Sequence, residues 1–251
     1  MNMEPNESEN GMFLRVAFAP CEIDSYPDNF FDVAVVIDVL RATTTLLFAL
    51  NAGAQKIIPA ATIDEAKELA QKHNGSMLCG ERNGIKIPGF DLGNSPSEYT
   101  AEKVEGRILI FASTNGSVMV KKARRIAEKL LLTSLRNLNA TAKKIMDIEP
   151  RKMLIACSGQ KGFLSLEDAY CAGILIDIID EHKESMHGDD AALVSHLLSR
   201  YFGYDTDKIF GESMHARYLG SELDLWDDLD DAAEIDADDI VPIYENGEIH
   251  L

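Results

Sequence analysis

Val33-Ala34-Val35-Val36-Ile37-Asp38-Val39-Leu40-Arg41-Ala42-Thr43-Thr44-Thr45 decides the fold. Its first five residues are apolar without alternation, as in a strand covered on both faces. The run then empties into a polar turn of charged and small residues and a helical pattern. The same arrangement recurs. Leu109-Ile110-Phe111 runs into Ser113-Thr114-Asn115-Gly116-Ser117 and a helix, and Met153 to Cys157 runs into Ser158-Gly159-Gln160-Lys161-Gly162 and, later, a helix. Further strand-like runs are Phe13–Phe18, Lys56–Ile58, Met77–Cys79, Lys129–Leu132 and Ile240–Tyr244. Between them, Thr62-Ile63-Asp64-Glu65 and Ser95-Pro96-Ser97-Glu98 read as capping boxes that open helices. Ser165 opens a helix to about Glu184, and Asp189 opens one to about Phe202. This alternation predicts an α/β fold with a largely parallel sheet and helices on both faces. Ligands of open α/β sheets sit at the carboxyl ends of strands, so the three polar turns make one site if they converge.

With 251 residues, 46% hydrophobic and 26% charged, the chain has ordinary globular composition and needs no disulfide staples. Residues 1–11 read as a disordered acidic lead-in rather than a signal peptide. Residues 12–251 read as one unit, with 147–152 the best candidate for a join between two halves. The longest charge-free stretch, Ala42 to Gln55, is 14 residues, too short to span a membrane. Cys21, Cys79, Cys157 and Cys171 form no CxxC pair and read as reduced thiols of a cytoplasmic protein.

The net charge is −18, and its distribution is uneven. No Lys or Arg follows Arg217, while twelve acidic residues do, so the last 34 residues carry −12. A field of this sign argues against nucleic acid or an anionic membrane as partner. A local cluster of Arg and backbone amides can still hold a small anion. The acidic stretch Glu222 to Asp239 contains Leu223, Leu225, Trp226 and Leu229, which reads as a helix docked by an apolar stripe with its charges solvated.

Four segments carry candidate chemistry. The loop from Gly80 to Ser95 is long for a connection and holds Glu81, Arg82, Lys86, Asp91 and Asn94; it reads as functional, or as a surface loop whose end caps a helix. Asp38 and Arg41 stand just past a buried strand. They could bind a metal, attack phosphorus or clamp a phosphate, or could equally form a helix cap with a salt-bridged Arg. The turn Ser113–Ser117 offers hydroxyls, an amide and free helix N–H groups to an oxyanion, or caps its own helix. Glu167 and Asp168 open a helix, where they either complement its dipole or ligate a divalent cation. Cys157 is not followed by an Arg five residues on, and no Gly-x-Ser-x-Gly elbow or Walker loop is present. The six histidines show no metal-binding spacing and read as surface or helix-face residues.

Asp38-Val39-Leu40-Arg41-Ala42-Thr43-Thr44, Gly80-Glu81-Arg82, Gly89-Phe90-Asp91-Leu92-Gly93-Asn94-Ser95-Pro96, Thr114-Asn115-Gly116-Ser117 and Leu166-Glu167-Asp168 with Ala172-Gly173 follow one another in an order that resembles the 2-phosphosulfolactate phosphatase (ComB-like) family. The similarity extends over about residues 13–250; Ser117 stands where the family often has Thr. The resemblance implies a three-layer α/β/α fold of two similar, intertwined halves. It also implies a Mg²⁺-dependent phosphatase that converts (2R)-2-phospho-3-sulfolactate to sulfolactate and phosphate, a step toward coenzyme M. On this basis Asp38, Arg41, Arg82 and Asn115 are the expected catalytic residues. Thr43, Asn94, Ser95, Thr114, Gly116 and Ser117 are expected to bind substrate, and Mg²⁺ is expected on some of Asp38, Glu81, Asp91, Glu167 and Asp168. Either a water or Asp38 itself could be the nucleophile. The expected partner is a small anionic phosphoester, with self-association into a homo-oligomer left open. Competing readings are a phosphomonoesterase for another 2-phospho-hydroxyacid and a non-catalytic anion-binding protein.

Overall fold

The structure, a computed structural model, describes residues 11–182 and 185–251. The expected lead-in falls, but for Gly11, outside the described residues. Along the chain run β1 (Met12–Ala17), β2 (Phe31–Ile37), α1 (Ala42–Asn51), β3 (Lys56–Pro59), α2 (Ile63–Lys72), β4 (Met77–Arg82), β5 (Ile85–Lys86), α3 (Ala101–Val104), β6 (Ile108–Ala112), α4 (Gly116–Ile126) and β7 (Ala127–Thr133). There follow α5 (Leu138–Ile148), β8 (Lys152–Cys157), α6 (Leu166–Asp180), β9 (Met186–Gly188), α7 (Asp190–Phe202), α8 (Thr206–Glu212), α9 (Met214–Arg217), α10 (Trp226–Ala233), β10 (Ile243–Glu245) and β11 (Glu248–His250).

The strands form one sheet in the order β5-β4-β6-β3-β11-β10-β7-β2-β8-β1-β9. Two parallel sets flank a C-terminal hairpin: β4-β6-β3 on one side and β7-β2-β8-β1-β9 on the other. The hairpin strands β10 and β11 run antiparallel to each other and to their outer neighbours, β7 and β3. The halves are interleaved, because the early strands β1 and β2 enclose the late strand β8. Residues 147–152 therefore join α5 to β8 inside one parallel set, and the sheet's own division comes at the hairpin.

The even burial of β2 follows from layers on both faces. Val33, Val35 and Ile37 join the core beneath α5 and α6, while Ala34 and Val36 join the core beneath α1 and α4. Helix α2 covers Ile58 and Ile110 on the β3–β6 side. Helix α6 is buried along nearly its whole length because α7 packs over it, and its apolar composition all round is what a covered helix requires. Thr62 caps α2 by accepting the Glu65 N–H, and Asp189 caps α7 by accepting the Ala192 N–H, as their spacing predicts.

Three expectations are corrected. Ser95 opens only a 3₁₀ turn over Pro96–Glu98, and its hydroxyl does not cap it; Glu98 reaches back to the Gly93 N–H. The α6 helix ends at Asp180; Glu184 lies outside the described residues. The terminal strand covers 243–245 rather than 240–244 and turns through Asn246-Gly247 into a partner strand. Asn246 and Gly247 both have positive φ, 52° and 90°, the conformation that makes Asn-Gly a hairpin signal.

Candidate active site

The polar turns do converge. Asp38 after β2, Glu81 in β4, Ser113, Thr114 and Asn115 after β6, and Gln160 and Lys161 after β8 line one cleft of about 450 Å³, open mouth included. The helices that follow the strands bring the two parallel sets together here. α4 leaves β6 but packs on β2 and β7, and α1 leaves β2 and packs on the 96–98 turn. Thr45 in α1 ties the far side by donating its hydroxyl to the Asn94 carbonyl at 2.8 Å.

Asp38 sits at the floor, buried. Its Oδ1 accepts the Ala42 N–H at 3.1 Å, and Thr43 closes the turn by bonding both the N–H and the carbonyl of Asp38. Gly116 is the neighbour that makes room: a Cβ there would lie 2.7 Å from Asp38 Oδ2 and from Ala42 Cβ. Burial pushes the Asp38 carboxyl up to about 6, with Glu81 and Glu167 adding to the rise and His215 opposing it. Glu81 is also buried, and both its oxygens are engaged by backbone donors, Oε1 by the Thr114 N–H and Oε2 by the Gly84 N–H, each at 2.7 Å. Two buried oxygens in the same cleft, Asn94 Oδ1 and Thr114 Oγ1, have no hydrogen-bond partner among the described residues.

Arg41 lines the cleft with its guanidinium held from behind. It donates to Asp228 Oδ2, to Ser95 Oγ at 3.3 Å and to the Gly84 carbonyl at 2.7 Å. Ser95 in turn donates to Asp228 at 2.9 Å, so this serine supports Arg41 rather than the cleft. Asn115 donates its amide to Gln160 Oε1 at 2.9 Å, linking the turns after β6 and β8. Ser117 bonds Ser113 and the Phe111 carbonyl, and stiffens the turn from below.

Several expected site residues lie elsewhere. Arg82 donates to the carbonyls of Glu81, Ala112 and Ala61 and clamps strand ends outside the cleft lining. Asp91 is exposed and accepts the Leu78 N–H. Asp168 takes the N–H groups of Val39 and Gly159 at 2.9 and 3.1 Å, joining the turns after β2 and β8 from below. Burial, then the charges of Asp38 and Glu167, hold its carboxyl well above the usual range. Glu167 accepts from Ser213 at 2.7 Å and faces His215 Nδ1 at 3.1 Å. Burial pushes Glu167 upward, but its bonds to His215 and Ser213 outweigh burial and leave it below the usual carboxylate range. Among the described residues no three His, Cys, Asp or Glu side chains stand close enough to cage a metal ion.

A model of the 2-phosphosulpholactate phosphatase family matches residues 19–247. The chain belongs to this family. Similar proteins include one from Carboxydothermus hydrogenoformans, 39% identical over 231 residues that make up 92% of each chain. One from Deinococcus radiodurans is 34% identical over 227 residues, 90% of this chain and 93% of the relative. A third, from Thermotoga maritima, is 39% identical over 217 residues, 85% and 89% of the two chains. Each of the three is named a probable 2-phosphosulfolactate phosphatase. The family is one of phosphoric monoester hydrolases.

In this member of the 2-phosphosulfolactate phosphatase family, the C-terminal segment supplies site residues that the sequence pattern did not mark. His215, Tyr218 and Leu219 line the cleft, and Asp228 holds Arg41. Gln160 and Lys161 belong to the third polar turn and Asn83 to the Gly80–Ser95 loop, segments that the sequence marks without singling out these three side chains. His215, expected on a surface or helix face, lies on α9 and lines the cleft, with only 12% of its side chain exposed.

Proposed function

We propose that this chain hydrolyses (2R)-2-phospho-3-sulfolactate to 3-sulfolactate and phosphate with the help of Mg²⁺, a step on the way to coenzyme M. The observation that carries the proposal is the cleft itself: the ends of β2, β4, β6 and β8 bring buried carboxylates, unpartnered oxygens and cations to one place. The family and its relatives supply the substrate class.

The donor set fits a hard cation. Mg²⁺ takes one or two carboxylates and fills its other positions with water and substrate oxygens, so it needs no cage of three acids. Asp38 and Glu81 would hold it, with Asn94 Oδ1 and Thr114 Oγ1 as neutral oxygens nearby. Asp91, Glu167 and Asp168 stay outside that set, because Asp91 is exposed and none of the three lines the cleft. The ion would neutralise charge on the phosphoryl oxygens.

The chain's own residues do the rest. Arg41, fixed by Asp228 and Gly84, faces the substrate with a pre-set guanidinium plane. Lys161, exposed at the rim and without an ion pair among the described residues, meets a second anionic group. Phosphoryl transfer needs positioning and charge stabilisation more than covalent help from the protein. The attacking oxygen belongs to water or to Asp38, and trapping a covalent phosphate that Asp38→Asn abolishes distinguishes them.

The test is phosphate release with and without Mg²⁺ from 2-phosphosulfolactate, phospholactate, phosphoglycerates and p-nitrophenyl phosphate. Mg²⁺-dependent release with 2-phosphosulfolactate preferred is the expected result. Preference for another ester replaces the substrate, and no release by folded protein from any of them overturns the proposal.

A further inference from the structure

The two ring nitrogens of His215 stand in different settings. Its Nδ1 lies 3.1 Å from Glu167 Oε1, a buried carboxylate held ionised by its hydrogen bonds. A carboxylate only accepts, so Nδ1 carries a proton and the tautomer and ring orientation are set from behind. The other ring nitrogen, Nε2, has no hydrogen-bond partner among the described residues, and the ring lines the cleft beside Asp38, Arg41 and Asn115. Glu167 is itself fixed by the Ser213 hydroxyl at 2.7 Å, and that hydroxyl also accepts the His215 backbone N–H at 3.1 Å. Carboxylate, hydroxyl and imidazole therefore form one rigid unit that joins α6 to α9. A merely structural histidine would bury both nitrogens against partners. This one lines the cleft with Nε2 unpaired among the described residues.

We infer that His215 is the general acid that protonates the leaving alkoxide, and that Glu167 is its positioning residue. The inference rests on the phosphatase reading above and deepens it. The step starts from the imidazolium, with a proton on each ring nitrogen; the bond between phosphorus and the bridging oxygen breaks and its electron pair stays on that oxygen. The proton on Nε2 moves to the same oxygen, so the product leaves as a neutral alcohol and the imidazole is left neutral, with its remaining proton on Nδ1. The phosphoryl group ends on the oxygen of one water, which brings two protons. One of them returns through solvent to Nε2, and the sum is ester plus water giving alcohol plus hydrogen phosphate.

A 2-hydroxy acid is a poor leaving group as its alkoxide, whereas p-nitrophenolate leaves readily without a proton. This difference supplies the test. The kcat/KM of wild type, His215→Asn, His215→Gln and Glu167→Gln is measured on 2-phosphosulfolactate or whichever alkyl phosphate the wild type prefers, and on p-nitrophenyl phosphate. Thermal melts of each variant accompany the assays. Loss of a general acid costs on the order of 10²–10⁴-fold. The expected result is a loss in that range on the alkyl ester for both His215 variants and a loss of under about tenfold on the aryl ester. Glu167→Gln shows the same inequality at smaller size. Equal losses on the two esters, in variants whose melts match the wild type, overturn the inference. A wild type that cleaves neither ester overturns the phosphatase reading instead.

Discussion

At the scale of single residues, Asp38 is placed where its ionised form is least comfortable. It is buried, faces Glu81 and Glu167 electrostatically, and has its carboxyl raised from 3.8 to about 6. A raised acid binds its proton more tightly in the folded state, so folding is disfavoured as pH rises through this window, and the full penalty stands above about 6. Asn keeps the Oδ1 acceptor for the Ala42 N–H and removes the charge. In EDTA, Asp38→Asn should therefore melt several degrees above the wild type at pH 7.5 and by a much smaller margin at pH 4.5, while phosphate release is lost. A gap that is flat or reversed between the two pH values would show that the burial of this charge is not strained. Gly116 makes the complementary point. The Cβ of Gly116→Ala would press on Asp38 Oδ2 at 2.7 Å, against a backbone tied down by Thr43. Small displacements of a reacting group cost about 10²-fold, so kcat/KM should fall to that extent with the far-ultraviolet circular dichroism unchanged. A loss within threefold would mean that the turn yields.

At the scale of elements, the sheet's strands and the turns at their ends were legible, and the C-terminal contribution to the site was not. Val33–Ile37 betrays itself locally, because a continuous apolar run needs cover on both faces, and Asp38 and Arg41 follow directly from it. The acids of α10 carry no such local mark. Asp227, Asp228, Asp230 and Asp231 look alike in sequence, yet Asp228 alone of these four is buried, on Arg41 187 residues away. His215 is equally unmarked, since its partner Glu167 is 48 residues distant and belongs to another helix. Arg82 lies within the motif, and its guanidinium bonds backbone carbonyls outside the cleft lining. The Arg41–Asp228 pair has side-chain exposures of 3% and 4%, so truncating one member strands the other without water. Asp228→Ala should cost about 3–5 kcal/mol in urea denaturation. Combining it with Arg41→Met should recover much of that stability and none of the turnover, which separates the element's structural part from its chemical one. A cost below about 1 kcal/mol for the single variant would mean the pair behaves as a solvated one.

At the scale of the molecule, the −18 charge is folded onto itself unevenly. The last 34 residues carry −12 and lie against a body of −6, tied to it by Arg41, by Arg136 between Glu234 and Asp238, and by Lys56 at Glu248. Salt acts on these terms with opposite signs. The Lys56–Glu248 pair is partly exposed and contributes about 0.2–1 kcal/mol, which screening weakens. The Arg41 pair is buried and nearly indifferent to salt. Against them stands the repulsion between two like-charged parts of one compact chain, whose reach exceeds contact distance and which a Debye length of about 10 Å at 0.1 M cuts back. With so large a net charge the repulsion prevails, so raising NaCl from about 0.01 to 0.15 M should raise the melting temperature at pH 7.5. Asp and Glu on the C-terminal segment outside the pairs, such as Asp224, Asp227 and Asp230, carry much of that repulsion. Replacing these three with Asn should stabilise the protein at low salt and flatten its salt response. A melting temperature that falls with salt in the wild type would instead assign the C-terminal segment's docking to its exposed ion pairs.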